Sequence, residues 1–281
     1  MLTRSRDGFT LAEVLIALAL TLVVAGALWG LLLDTQRVAR DQAQRVNLQS
    51  NLRTGSLVVL SELRELSAVA GGTGVQNDVL AAGTSAMTYR AMRGIGFTCA
   101  GPTAGVIRLG RSTFTGHRDP QAGRDEALIL LPDTGATGAA DSWLSAPSSA
   151  VGTSSACPGS LGPGISLTLP AGTAVAGLEV GTPVRIAEVM ELRLYVSEGR
   201  SWLGARSVST GEAIQPLLGP LTSGSGFRLE YLDAGGAPTA DRTRISAIRV
   251  ALRGSTDGGG GSTPVEEELI AQAGLRNAVQ P

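Results

Sequence analysis

From Val14 to Leu33 the chain runs for about 20 residues without a charge, and Glu13 stands at the head of that run. A helix rises 1.5 Å per residue, so such a stretch matches the roughly 30 Å hydrocarbon core of a bilayer. A short polar leader, Met1 to Asp7, precedes it and carries Arg4 and Arg6. Everything after Leu33 is too polar and too rich in glycine to cross a membrane again. The sequence therefore predicts one apolar anchor joined to one soluble body. A carboxylate inside an anchor costs at least about 2.5 kcal/mol and normally marks a partner, so Glu13 either has one or lies at the membrane interface.

An ordinary secretory leader would be cut at Ala25-Gly26-Ala27. Against that reading, Leu28-Trp29-Gly30-Leu31-Leu32-Leu33 carries the apolar run past the site, and Glu13 stays unexplained. Gly8-Phe9-Thr10-Leu11-Ala12-Glu13 instead resembles the leader junction of type IV pilins and type II secretion pseudopilins. Gly8 stands before the cut, Phe9 after it, and Glu13 becomes the fifth residue of the processed chain. The resemblance implies cleavage between Gly8 and Phe9 by a prepilin peptidase, N-methylation of Phe9, and retention of the hydrophobic helix as anchor and filament core. It also implies that Glu13 pairs with the cationic amine of Phe9 and guides docking of an incoming subunit. The implied partners are that peptidase, other major and minor pilins, an inner-membrane assembly platform, and membrane lipid before assembly. The implied location is the inner membrane with a periplasmic head, then a surface pilus or a periplasmic pseudopilus. Gly26 and Gly30 have the small-xxx-small spacing that lets membrane helices approach closely.

Beyond Leu33 the pattern turns amphipathic, with Val38, Val46, Leu52, Val59, Leu63 and Leu66 at near-helical spacing among charges. No proline interrupts Phe9 to Ala70, and Gly71-Gly72 supplies a stop. The expected organisation is a leader at 1–8, a filament-core half-helix at 9–33, an amphipathic half-helix at 34–70 and a head at 71–281. The fold class is α+β, a long N-terminal helix packed on a β-rich head. Strands are expected at 86–92, 105–109, 127–131, 165–169, 183–196, 201–208, 226–232, 243–252 and 264–271, with a hairpin turn at Ser197-Glu198-Gly199-Arg200. The Gly/Ser-rich stretch 133–164 reads as a surface excursion. The order of strands and turns after Val189, together with Gly94-Ile95-Gly96-Phe97-Thr98-Cys99, resembles the minor pilins called PilW and the minor pseudopilin called GspJ.

The net charge of −1 supplies no field that would recruit nucleic acid, and all 23 basic residues are arginine. Cys99 and Cys157 are the two cysteines, either a disulfide of an exported protein or two unpaired thiols. His117, the single histidine, has Asp119 nearby, half of a hydrolytic dyad without a nucleophile motif, so no catalytic residue is assigned. Asp233, Asp241 and Asp257 sit in Gly-rich loops where pseudopilins bind calcium, but they lack the calcium-loop spacing. No cofactor or metal is otherwise expected. Arg242, Arg244, Arg249 and Arg253 form either a solvated face or a basic strip for DNA. The leading expectation is a structural minor pilin or pseudopilin; the alternatives are a DNA receptor or adhesin at a pilus tip, and a tethered enzyme.

Overall fold

The computed structural model describes residues 9–68, 77–131, 142–175, 177–256 and 264–276. Gly8, the Gly71-Gly72 stop and Asp257 lie outside them. Among the described residues one helix, α1 (Leu11–Arg64), is followed by strands, apart from short 3-10 turns. The contacts divide the chain into two units, Met1–Gln49 with Thr256–Val265, and Ser50–Ser255 with Glu266–Pro281, so the boundary falls inside α1.

In the first unit, α1 exposes large apolar side chains all round, from Leu11 through Leu33. The helix is long and apolar enough to cross a membrane. In the second unit α1 has one buried face: Leu52, Gly55, Ser56, Val59, Leu60 and Leu63 recur at helical spacing and are shielded from solvent. A Cβ on Gly55 would lie 2.4 Å from a methyl of Leu218, so glycine is what lets strand and helix approach there. The helix stops at Arg64, short of the expected Ala70. The amides of Glu65 and Leu66 tighten onto the carbonyls of Glu62 and Leu63, and the chain then leaves to pair with Arg276 through a parallel bridge at Ser67.

The head contains two sheets. Their strands are β1 (Val79–Ala82), β2 (Ala86–Thr103), β3 (Val106–Leu109), β4 (Thr115–Gly116), β5 (Asp125–Leu131), β6 (Ser142–Pro147), β7 (Ala150–Ser154), β8 (Gly164–Thr168), β9 (Pro183–Ser197), β10 (Arg200–Ser207), β11 (Gln215–Leu221), β12 (Phe227–Leu232), β13 (Ala247–Ser255) and β14 (Glu266–Gly274). The larger sheet runs β11-β10-β9-β2-β3-β8-β7, with β1 and β4 on β2, β5 on β9 and β6 on β5. The smaller is an antiparallel meander, β12-β13-β14. Strict alternation of half-buried and buried residues along β13 is the period-2 signature of a sheet with one covered face. Glu198 and Gly199, both at positive φ, make the two-residue turn between β9 and β10. Ile107, Leu109, Ile129, Leu167, Val184 and Ile186 form the centre of a core cluster in the larger sheet.

The head, too, departs from the sequence reading. The excursion at 133–164 contains β6 and β7, which pair with β5 and β8. Strand β2 continues through Gly94 and Gly96 to Thr103, because the Phe114 ring packs where their side chains would be; a Cβ on Gly94 would come within 2.6 Å of it. The expected strand start at Thr243 is a 3-10 turn over Arg242–Arg244, and β13 begins only at Ala247.

Cys99 of β2 and Cys157 are joined as a disulfide, with their Cα atoms 5.2 Å apart.

Candidate functional site

The start of α1 is built by four residues. Thr10 is the last residue before the helix, and its hydroxyl accepts from the Glu13 amide at 3.3 Å. Glu13 reaches back, its Oε2 accepting from the Thr10 amide and from the Thr10 hydroxyl, both at 3.0 Å. This reciprocal pair is a capping box, Thr-x-x-Glu, which satisfies helix-start donors that would otherwise be orphaned. A carboxylate in the first turn also complements the positive end of the helix dipole. Glu13 therefore has a role within its own helix in addition to any pairing with another chain. Both hydrogen bonds use the same carboxylate oxygen, Oε2. Phe9, directly before the box, is 88% exposed.

Further along the same helix, a Cβ built on Gly26 or on Gly30 meets nothing within 4 Å. Both glycines thus present bare backbone to the surroundings, as a close helix–helix contact in a membrane requires.

Residues 3–29 match the family model described as the prokaryotic N-terminal methylation motif. The chain carries that motif. It spans most of the leader, the Gly8–Phe9 junction, the capping box and Gly26, and ends one residue before Gly30. The methylation motif supports a type IV pilin-like or pseudopilin-like protein, processed by prepilin peptidase and associated with other pilins. No curated protein and no solved structure matches the chain.

The other described residues singled out in the sequence belong to the second unit. Asp119 pairs with Arg111 at 2.7 Å, and the backbone amide of His117 donates to the carbonyl of Arg93. His117 lines an open cavity of about 370 Å³ together with Glu65, Arg93 and Arg276. Asp233 accepts from the amides of Gly235 and Ala237 and pairs with Arg244, while Asp241 caps the turn at Thr243. Their oxygens hold loops in place, and no group of three metal-ligating side chains occurs among the described residues. The four arginines of the basic strip are engaged: Arg244 with Asp233, Arg249 with Glu230, Arg253 with Glu266, and Arg242 with the carbonyls of Val79 and Leu80.

The densest buried charge lies elsewhere, around Glu188 of β9. Its Oε2 accepts from Arg93 at 2.8 Å and Arg118 at 3.1 Å, and its Oε1 from Arg124 at 2.5 Å. Arg118 is also held bidentately by Asp125, Arg124 by Glu212, and Arg93 by Glu62 at the end of α1. Burial alone would raise the Glu188 carboxyl, but the hydrogen bond from Arg93 and the charges of Arg93 and Arg124 hold it down to about 2. Because the folded value lies below the ordinary 4.5, the carboxylate stabilises the fold above that pH. This contribution, on the order of 3 kcal/mol, is expected to fade as pH falls from 4.5 towards 2. Denaturant titrations across that window should show the loss in the native chain and a flatter profile in Glu188→Gln.

Proposed function

We propose that this chain is a minor pilin or pseudopilin, cut between Gly8 and Phe9, methylated on Phe9, and incorporated into a type IV pilus-like filament or its initiating complex. The observation that carries the reading is the methylation motif at residues 3–29 on a helix able to cross a membrane. Before assembly, the helix holds the protein in the inner membrane with the head in the periplasm. During assembly the same helix buries its apolar surface against other pilins, and Glu13 receives the Phe9 amine of a neighbour. The role is structural rather than enzymatic, and its ligands are other subunits.

The capping box shapes the test. Glu13→Ala removes both the charge and the cap, whereas Glu13→Gln keeps an acceptor for the Thr10 amide and removes only the charge. With prepilin peptidase present, both variants should be inserted and cleaved like the native chain. Both should also fail to enter filaments recovered from the cell surface or periplasm. Native incorporation of Glu13→Gln would refute the charge pairing and leave Glu13 as a helix cap. Processing itself can be followed chemically. The chain has no lysine, so the α-amine is its one primary amine. Cleavage therefore frees that amine on Phe9, and methylation makes it secondary. N-terminal mass analysis should find a chain that begins at Phe9 and carries an added methyl. A chain that still begins with the primary amine of Met1 in the presence of the peptidase would sink the proposal.

A further inference from the structure

Three outer strands of the two sheets are closed or defended. β11 contains Pro216 and Pro220 and pairs irregularly with β10, features that discourage further pairing. The outer side of β12 is taken within the chain, the Leu229 amide donating to Thr84 and the Thr239 amide to the Tyr231 carbonyl. β7 has five residues, one of them Gly152. β14 is longer and more regular, and its one glycine, Gly274, is its last residue. It pairs with β13 over nine residues without a register shift and contains no proline. On the side away from β13, the backbone of Glu268 through Gln272 makes no hydrogen bond among the described residues. At its centre, Ile270 is 61% exposed.

We propose that β14 is a self-pairing edge: two copies of this chain join through it antiparallel about Ile270, merging two three-stranded sheets into one. The charges select that register. Centred on Ile270, Glu268 faces Gln272 of the second copy and Glu266 faces Gly274, so no carboxylate opposes another. Centring the pair on Glu268 would set two carboxylates against each other, which cross-strand electrostatics disfavour. Within each copy Glu268 is already the cross-strand neighbour of Arg253. In the pair it would lie between that guanidinium and an amide able to donate to it. The two isoleucines meet across the axis and lose the exposure that each has alone. A symmetric interface of this kind is closed, so assembly through it stops at two.

The test uses the full chain in detergent micelles. Ile270→Cys should give a linked dimer on mild oxidation several-fold faster than Val180→Cys or Val196→Cys, whose parent side chains are equally exposed. The native cysteines are bonded to each other and do not compete. Ile270→Lys changes an exposed side chain and places two ammonium groups on the axis. It should convert the dimer seen by light scattering into monomer. Equal linking rates at all three cysteine positions, a native chain that stays monomeric when concentrated, or a dimer that survives Ile270→Lys would each overturn the proposal. The last result would assign association to the helix.

Discussion

Replacing Glu188 with alanine is expected to lower the unfolding free energy of the head by about 3–5 kcal/mol, the usual cost of removing one partner from a buried charge cluster. The Glu188 side chain is 2% exposed and receives three guanidinium groups. Two of those cations keep a second carboxylate at close range, Arg118 with Asp125 at 2.6 Å and Arg124 with Glu212 at 2.6 Å. Arg93 does not. Its remaining partner is Glu62 at 3.5 Å, and its own side chain is only 14% exposed. The loss should therefore centre on Arg93 and on the junction between β2 and the end of α1. Chemical denaturation of the full chain in detergent, followed by tryptophan fluorescence, reads the effect. Glu188→Gln, which keeps the shape and some of the hydrogen bonding, should lose less. An unchanged midpoint for Glu188→Ala would show that water replaces the carboxylate without cost.

Removing the disulfide by replacing Cys99 and Cys157 with alanine is expected to cost about 4 kcal/mol. A cross-link between residues 58 apart takes that much loop entropy from the unfolded chain on the entropic account. The bond fastens β2 to the segment that follows β7, and Gly164 at the start of β8 packs directly on it. A Cβ on Gly164 would lie 2.3 Å from Cys157 Sγ. Gly164→Ala should therefore be strongly destabilising in the oxidised chain and much less so in the cysteine-free chain. The two changes form a double-mutant cycle with a large coupling term. If Gly164→Ala costs the same in both backgrounds, the clash is with the Leu109 carbonyl, 3.0 Å from the same Cβ, and not with the sulfur.

How far the fold was legible depends on what kind of signal each element carries. α1 announced itself by an unbroken apolar run and then a helical period, and β9, β10, β12 and β13 by alternation and by the Glu198-Gly199 turn. β6 and β7 carried no such signal. They are made largely of Ser, Ala, Gly and Thr, and they are strands because β5 and β8 offer them apolar partners with free edges. β11 was obscured by its two prolines, which an outermost strand tolerates. At the site, Gly8, Phe9 and Glu13 could be read as a motif, but the part played by Thr10 was missed. The Thr10-x-x-Glu13 spacing was there to find it. The Glu188 cluster could not be read from sequence at all. Its members range from Glu62 on α1 to Glu212 beyond β10, and the register of β2 and β5 on β9 is what sets Arg93 and Asp125 beside Glu188.

The way α1 ends has a mechanical consequence. The Arg276 amide donates to the Leu66 carbonyl and the Ala68 amide to the Arg276 carbonyl, so two backbone bonds hold the exit of the helix against the final stretch of the described chain. Traction on the helix would enter the head at that clamp and load these bonds alongside the Glu62–Arg93 contact. A truncation ahead of Leu275 would remove Arg276 and with it both bonds. It should leave a protein that folds when unloaded but gives way at the helix exit when pulled.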